Sequence, residues 1–225
     1  MEIKKVAVIG GGAAGFFAAI SVKENHPSYQ VILFEKTSKV LSKVRISGGG
    51  RCNVTHDCSD IPTLCEAYPR GGKKLKSLFY QFSKSDTVDW FESRGIPLKT
   101  EKDGRTFPKS NNSQSIIDCL ESEIDRLKVD LKMGQAIERI EEDGMGWKLN
   151  FKDQPYQKFD MVIIATGGSP KITGFDWLES EIDRLKVALK MCQAIESIQE
   201  DGIGWKLSFN DQPCQKFDIV IIATG

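Results

Sequence analysis

The residues Val6–Gly15 read V-A-V-I-G-G-G-A-A-G, and this stretch decides the fold. It places a G-x-G-x-x-G spacing directly after an apolar, strand-like run and at the start of a helical pattern. In this motif the first glycine permits a tight turn, the second lets the backbone approach a pyrophosphate, and the third lets the helix pack closely on the strand. The helix start then offers unpaired N–H groups and a positive dipole end to the phosphates. The contacts expected from this turn are Gly10, Gly12, Ala13, Ala14 and Gly15.

An acidic residue follows at the distance that this motif requires. Gln30–Glu35 is a second predicted strand, and its last residue lies 20 positions after Gly15. A carboxylate at this place binds a ribose hydroxyl and repels a 2′-phosphate, so the site favours FAD or NAD over NADP. Lys36 is the next residue and is included among the expected cofactor contacts. The alternative is a glycine-rich turn that binds no ligand.

Strands and helices alternate along the chain, which predicts an α/β fold with a mainly parallel sheet. The turn sequences D-G and D-Q-P separate the later strands and predict a short antiparallel meander that leads into a central strand. The predicted strands are Lys4–Ile9, Gln30–Glu35, Leu131–Ile140, Trp147–Phe151 and Phe159–Ala165. The predicted helices are Ala13–Asn25, Leu75–Phe82, Ser85–Arg94 and Ser113–Lys128.

The second half of the chain contains an internal duplication. Residues Asp118–Gly167 and Asp176–Gly225 align without a gap at an offset of 58 and are identical at 40 of 50 positions. Two copies fall short of the three or more stacked units of a solenoid, so a duplication or truncation accident is favoured over a repeat with its own function. We therefore expect one incomplete domain over residues 1–175 and a near-repeat of 118–167 over residues 176–225.

Both copies end in V-I-I-A-T-G, and either final strand is able to pair with Val6–Ile9. The two copies are therefore expected to compete for one place in the sheet. The displaced copy would expose Val220–Ala223, an apolar edge that is prone to pairing between chains. This predicts self-association of the chain or poor solubility.

Composition excludes several classes of protein. The chain has 31 Lys+Arg and 31 Asp+Glu, a formal charge of zero, which argues against nucleic-acid binding and against a polybasic membrane anchor. Its apolar runs are far shorter than the roughly 20 residues of a membrane span. The six cysteines form no C-x-x-C pair and are too sparse for a disulfide framework, which favours a cytoplasmic protein with reduced thiols.

Two further patterns have alternative interpretations. Cys52, His56 and Cys58 are metal-ligand types, but the spacing C-x-x-x-H-x-C fits no common zinc pattern, so no metal is predicted. Lys4 and Lys5 precede an apolar stretch as in a signal peptide, but three consecutive glycines interrupt that stretch.

A second glycine run, S-G-G-G-R-C-N, covers Ser47–Asn53. Its backbone N–H groups and Arg51 are suited to cradle another part of an anionic cofactor. A flexible loop is the alternative.

Four longer runs of the chain are distinctive, namely K-V-R-I-S-G-G-G-R-C-N-V-T at Lys43–Thr55, Y-P-R-G-G-K-K-L-K at Tyr68–Lys76, D-G-R-T-F-P at Asp103–Pro108 and A-T-G-G-S-P at Ala165–Pro170. These motifs resemble those of a known family, the aminoacetone-oxidase group of FAD-dependent oxidoreductases, also called the BaiN or YhiN group. The resemblance covers roughly residues 1–178 in the family's order.

The resemblance implies a Rossmann-like FAD-binding domain, with a parallel sheet plus a β-meander, that acts on a small-molecule substrate with NAD(P)H as a candidate electron donor. The glycine turn and Glu35 would hold the ADP half of FAD, and the backbone around Ile137 would meet the adenine. Tyr68–Lys76 and Arg105 would lie toward the active site. The remaining implied cofactor contacts are Lys43, Ser47, Gly48, Gly49, Arg51, Cys52, Asn53, Ala165, Thr166 and Gly167.

The chain departs from the family after A-T-G-G-S-P. Family members continue into an inserted substrate-side domain and a C-terminal segment that closes over the flavin, whereas this chain repeats the helix and meander over Glu179–Gly225. The resemblance therefore predicts a truncated domain and an incomplete or impaired enzyme, with no catalytic residue assigned. His56 and Cys52 are weak candidates, and His26, in an N-H-P-S turn, is expected to be structural. The alternatives are a non-catalytic dinucleotide-binding module and an NAD-dependent dehydrogenase, which S-G-G-G-R-C-N disfavours.

Overall fold

The computed structural model describes residues 3–58, 60–68, 72–167, 195–200, 205–209, 212–217 and 219–221. The chain divides into two compact units. Unit 1 comprises Met1–Lys43, Leu120–Leu189 and Asp218–Gly225, and unit 2 comprises Val44–Cys119 and Lys190–Phe217. The expected domain boundary at residue 175 lies outside the described residues and stays a prediction.

Strands and helices alternate in the first part of the chain, as the sequence predicts. The strands are β1 (Lys5–Ile9), β2 (Gln30–Phe34), β3 (Thr55–His56), β4 (Leu98–Thr100), β5 (Arg105–Pro108), β6 (Asp130–Lys132), β7 (Ile137–Asp143), β8 (Gly146–Phe151), β9 (Gln157–Phe159), β10 (Met161–Ile164), β11 (Ile195–Glu200), β12 (Trp205–Phe209), β13 (Gln212–Phe217) and β14 (Ile219–Ile221). The helices are α1 (Ala13–Asn25), α2 (Ser42–Gly50), α3 (Ile61–Glu66), α4 (Gly72–Gln81), α5 (Lys84–Glu92) and α6 (Gln114–Arg126).

Unit 1 is built on a parallel sheet with the strand order β14-β10-β1-β2-β6. The central strand β1 pairs with β2 on one side and with β10 on the other, and Val6–Ile9 are buried. A continuous apolar run is typical of a parallel strand that is covered on both faces. The α/β fold with a mainly parallel sheet is therefore confirmed.

Two predicted strands are wrong in their extent. The stretch Leu131–Ile140 forms two strands in different sheets, β6 and β7, because the backbone turns at Gly134, whose φ is +69°. The stretch Phe159–Ala165 is likewise divided between β9 and β10. The division lies at Asp160, whose N–H donates to the carbonyl of Lys5 at 2.9 Å and whose carboxylate accepts from the N–H of Lys5 at 2.6 Å.

The meander β7-β8-β9 packs against the parallel sheet, and this contact forms the core of unit 1. The ring of Phe34 lies 5.3 Å from that of Phe151 and 5.8 Å from that of Phe159, measured between centroids. Edge-on and tilted aromatic pairs of this kind contribute beyond their buried area. The core residues are Ala7, Ile9, Ile32, Phe34, Ile140, Trp147, Leu149, Phe151, Phe159, Val162 and Ile164.

Unit 2 contains most of α2, the helices α3 to α5, the small antiparallel sheet β3-β5-β4 and the strands β11 to β13. The predicted helices Leu75–Phe82 and Ser85–Arg94 correspond to α4 and α5. Helix α5 begins at a capping box in which Ser83 and Asp86 bind each other's backbone N–H groups. The short elements β3, β4 and β5 were not predicted, because two to four residues are too few to show a period.

The second copy of the duplicated segment folds into the same meander as the first. Strands β11-β12-β13 have the order of β7-β8-β9, and Ile198 pairs with Leu207 as Ile140 pairs with Leu149. An irregularity interrupts the first strand at the equivalent place in both copies. The second copy is therefore a structural repeat in its backbone.

Both copies add a strand to the sheet of unit 1. Strand β10 of the first copy takes the place beside β1, and β14 of the second copy pairs in parallel with the other side of β10. Only one copy thus takes the place beside β1, and the final strand of the other copy extends the sheet at its edge instead of being displaced from it. The strand β14 is last in the order, so its outer edge faces no partner strand within the described ranges.

Among the helices of the described ranges, none is both long and apolar enough to cross a membrane.

Replacement of Phe34, which is only 1% exposed, is expected to destabilise unit 1. Phe34→Ala removes a ring from the contact between sheet and meander and should lower the free energy of unfolding by ~3–5 kcal/mol. Urea denaturation followed by circular dichroism measures this change. Met145→Ala in the β7–β8 turn is the control, because Met145 is 93% exposed and its loss should have little effect. Equal effects of the two substitutions would contradict the described core.

Candidate functional site

The glycine-rich turn after β1 is held by backbone contacts on two sides. The N–H of Gly10 donates to the carbonyl of Phe34 at 2.8 Å, and φ of Gly10 is +116°. A Cβ atom at this position would overlap the carbonyl oxygen of Ala165. Glycine is therefore required here both by the backbone conformation and by the close approach of the A-T-G segment.

The third glycine of the motif sets the distance between α1 and β1. A Cβ atom on Gly15 would overlap the carbonyl oxygen of Gly10 and would lie 3.3 Å from Cδ1 of Leu33. Any larger residue would push the helix away from the turn. This is the packing role that the sequence motif predicts.

The second glycine, Gly12, has a different environment. It is the N-cap residue of α1, with φ −90° and ψ −177°, and no side chain caps the helix. A Cβ atom built on Gly12 would meet no atom within 4 Å. The first N–H groups of a helix have no intrahelical partners, so those of exposed Ala13 and half-buried Ala14 are candidate donors at this end of the helix.

Glu35 joins the end of β2 to the glycine turn. Its half-buried carboxylate accepts from the N–H of Gly11 at 2.8 Å, from the N–H of Thr37 at 2.8 Å and from the Thr37 hydroxyl at 2.9 Å. An ionised carboxylate has about four acceptor positions, so it is able to accept one more donor such as a ribose hydroxyl. Sequence analysis missed Thr37, whose only signal is a hydroxyl two positions after the acidic residue.

The other predicted cofactor contacts of unit 1 differ in burial, and only some of them lie beside the glycine turn. Ala165 is buried, its N–H donates to the carbonyl of Ile9 at 2.8 Å, and Thr166 follows it exposed. Gly167 has φ +71° and turns the chain after this strand. Ile137 is half-buried against the core. The structure thus brings the A-T-G segment against the glycine turn, whereas the side chains of Lys36 and Lys43 are exposed, as is that of Thr166.

In unit 2 the second glycine run ends α2 and forms a closed loop. The helix breaks at Ser47, where ψ is 148°, and the left-handed residues Gly48 and Gly49 follow. The N–H of Cys52 donates back to the carbonyl of Ser47 at 3.0 Å. Oδ1 of Asn53 accepts from the N–H of Thr106 in β5 at 3.2 Å, which fixes the end of the loop. Hydrogen bonds within the loop and to β5 therefore define its conformation in this structure.

Arg51 has well-defined partners within unit 2. Its Nη1 donates to Oε1 of Glu101 at 2.7 Å, and its guanidinium carbon lies 3.8 Å from the centroid of the Phe107 ring. Phe107 is 0% exposed. The ion pair and the cation–π contact hold the loop against β5. In this structure the charge of Arg51 is balanced by Glu101, and its role is that of a clamp on the loop.

The histidine and cysteines near this loop do not form a metal site. No group of three His, Cys, Asp or Glu residues in the described ranges is arranged to hold a metal ion. His56 is exposed, and its Nε2 lies 3.1 Å from the carbonyl oxygen of Asp103. The thiol of Cys58 donates to the carbonyl of Asp60 at 3.3 Å. Both side chains therefore have local structural partners.

Two titrating groups of unit 2 have shifted pKa values with clear causes. Burial raises the pKa of the Cys52 thiol, and a hydrogen bond with Ser47 opposes this only in part. Hydrogen bonds from Arg105 hold the pKa of the Asp103 carboxyl below its ordinary value. A thiol with a raised pKa is mostly protonated at neutral pH and is a poor nucleophile.

Comparison with known proteins assigns the chain to a family. Residues 4–175 match the family model described as the HI0933-like protein Rossmann domain. The chain belongs to this family. The match confirms the resemblance inferred from the motifs and covers the glycine turn, Glu35 and the A-T-G segment.

Several curated proteins are similar to the family-matched part of the chain. The 3-dehydro-bile acid delta(4,6)-reductase of Clostridium scindens is 29% identical over 74% of this chain and 39% of its own length. The ribosomal RNA dihydrouridine synthase of Escherichia coli is 27% identical over 75% of this chain and 40% of its own length. The chain therefore spans about two fifths of the length of these relatives.

Solved structures show the same fold. An open conformation of a flavocytochrome c3 fumarate reductase superposes with a TM-score of 0.55 and 24% identity, over 74% of this chain and 34% of its own. A 3-ketosteroid-delta4-(5alpha)-dehydrogenase from Rhodococcus jostii RHA1 superposes with a TM-score of 0.56 and 16% identity, over 75% and 47%. The HI0933-like Rossmann domain thus shares its architecture with redox enzymes, one of which is named for its flavin.

The raised pKa of Cys52 predicts slow alkylation. At pH 8 a buried, protonated thiol should react with iodoacetamide several-fold more slowly than half-buried Cys58, and its rate should rise as the pH increases further. Peptide mass spectrometry after timed alkylation measures both rates, and in urea they should become equal. Faster reaction at Cys52 than at Cys58 would indicate an activated thiol instead.

Proposed function

We propose that the chain binds FAD and that unit 1 holds its ADP half. The observation that carries the proposal is the open space at Gly12, in front of the uncapped start of α1. A pyrophosphate suits this place because backbone N–H groups and the helix dipole both favour an anion there. Gly10 and Gly15 support the proposal, since their close contacts hold the turn in one conformation.

Glu35 is proposed to select the nucleotide. Its carboxylate is already oriented by Gly11 and Thr37, and its remaining acceptor capacity suits a ribose hydroxyl. The same negative charge repels a 2′-phosphate, so FAD or NAD is preferred over NADP. The residues proposed to complete this half are Ala13, Ala14, Lys36, Lys43, Ile137, Ala165, Thr166 and Gly167.

FAD is preferred over NAD because of the second glycine run. Family resemblance assigns Ser47, Gly48, Gly49, Arg51, Cys52 and Asn53 to the cofactor, and the loop that they form is ordered within unit 2. Left-handed glycines turn successive backbone N–H groups to one side, which is suited to an anion or a carbonyl oxygen. Because Arg51 is paired with Glu101, we propose that backbone donors of this loop, rather than the guanidinium, make the contacts.

The proposed activity is flavin-mediated oxidation or reduction of a small molecule in the cytoplasm, with NAD(P)H as a candidate donor. Bound FAD supplies the redox chemistry, and the residues described above bind and orient it. One relative is named for an RNA substrate. The balanced charge of 31 basic and 31 acidic residues favours a small molecule for this chain instead.

Gly12→Val tests the proposed phosphate site. The larger side chain fits the space in the free protein but occupies the place of the pyrophosphate, so FAD affinity should fall ~10- to 100-fold. Titration by quenching of flavin fluorescence measures the affinity, and the thermal midpoint should stay near that of the parent. Asn25→Ala at the far end of α1 is the control and should bind as the parent does.

Other outcomes separate the alternatives. A parent protein that takes up neither FAD nor NAD would overturn the proposal. Uptake of NAD without FAD would favour the dehydrogenase alternative. Uptake of FAD without reduction by NADH or NADPH would favour the non-catalytic dinucleotide-binding module.

We further propose that the chain self-associates through the outer edge of β14. An unpaired strand edge is a template for pairing with another chain, and lysine on an edge strand opposes this. Ile221→Lys should therefore reduce the dimer fraction in sedimentation velocity at a given concentration. Ile3→Lys adds the same charge at a residue that is 67% exposed and should leave that fraction unchanged. A monomeric parent protein would contradict the proposal.

A further inference from the structure

The two copies of the duplicated segment differ mainly away from the core. Within the strands and turns of residues 137–164, the first copy differs from the second at seven positions. Only Met161 among them is buried, and its counterpart is the apolar residue Ile219. The other six are exposed or half-buried, namely Arg139, Glu141, Met145, Asn150, Lys152 and Tyr156.

The residues that the first copy contributes to the core between meander and sheet are retained in the second. Six of its core residues are Ile140, Trp147, Leu149, Phe151, Phe159 and Val162. The residues 58 positions later are identical, namely Ile198, Trp205, Leu207, Phe209, Phe217 and Val220. Because burial of apolar area determines most of the docking free energy, either set of residues would gain about the same amount on the same sheet surface.

The backbone of the second copy is already arranged for such a contact. Its strands pair in the same register as those of the first, so that Trp205 lies opposite Phe217 as Trp147 lies opposite Phe159. Docking therefore requires no change of register within the meander. A change of register would have moved every apolar side chain to the other face.

We propose that the β11–β14 segment is a second occupant of the place that β7–β10 fill in unit 1. The chain then exchanges between two folded forms, each with one copy docked on β1 and β2. The entropy cost of the longer connection in the second form grows only slowly with loop length. Because both copies belong to one chain, the tether favours exchange within the molecule over exchange between molecules.

Matched substitutions of one core leucine in each copy test the proposal in the full chain. Leu149 is 0% exposed, and Leu207 is its counterpart. In an exchanging chain, Leu149→Ala or Leu207→Ala alone removes one of two equivalent forms and should lower the thermal midpoint by only ~1–2 °C. The double variant damages both forms and should lower it by ~5–20 °C.

Two results would overturn the proposal. If Leu149→Ala alone lowers the midpoint as far as the double variant does, only the first copy docks. If each single substitution causes a large shift and the two shifts add, the meanders are independent folded parts.

Fluorine NMR on protein labelled with 5-fluorotryptophan gives a second readout that needs no core substitution. The indole Nε1 of Trp147 is buried and has no hydrogen-bond partner in the described part of the chain, so its docked environment is distinctive. At concentrations at which the chain is monomeric, exchange predicts two resonances each for Trp147 and Trp205, with complementary populations that do not change on further dilution. Single resonances, or populations that depend on concentration within this monomeric range, would overturn exchange within one chain. Trp147→Phe and Trp205→Phe assign the signals.

Discussion

The parallel pairing of β1 with β2 and β10 is the constraint on which the rest of unit 1 depends. It aligns the carboxyl ends of three strands at one edge of the sheet, where the glycine turn, Glu35 and the A-T-G segment all begin. Gly10 lies so close to Ala165 that no side chain fits between them in this register. The geometry of the proposed nucleotide site is thus a consequence of strand register.

The meander also helps to fix the register of β10 beside β1, at the opposite end of these strands. Asp160 exchanges two hydrogen bonds with Lys5 at the point where the chain passes from β9 to β10. These bonds set where β10 starts beside β1, while the rings of Phe151 and Phe159 cover Phe34. Core packing and the position of the A-T-G segment are therefore coupled through one short connection.

Local patterns allowed much of unit 1 to be predicted from the sequence. Helix α1 was predicted to the residue, because the glycine turn and the polar N-H-P sequence mark its two ends. The spacing of the three glycines also indicated their packing roles. The predicted strand Leu131–Ile140 was wrong in its extent because the backbone turns away at Gly134 in the middle of this stretch.

Contacts between distant residues could not be predicted in this way. Arg51 and Glu101 are 50 positions apart, and no periodicity relates them. The cation–π contact with Phe107 depends on β5, which is too short to be recognised from its sequence. The sequence therefore indicated Arg51 as a residue of interest in the loop, but its contacts with Glu101 and Phe107 depend on the folded unit.

The uncapped start of α1 also has an entropic consequence. The donors at this place belong to the main chain, and the helix already fixes their direction. A lysine or arginine that binds a phosphate must first give up the freedom of several rotatable bonds. A ligand that binds at the start of α1 would not have to order such a side chain. Most of the conformational entropy needed to organise the site is therefore lost when the protein folds, before any ligand binds.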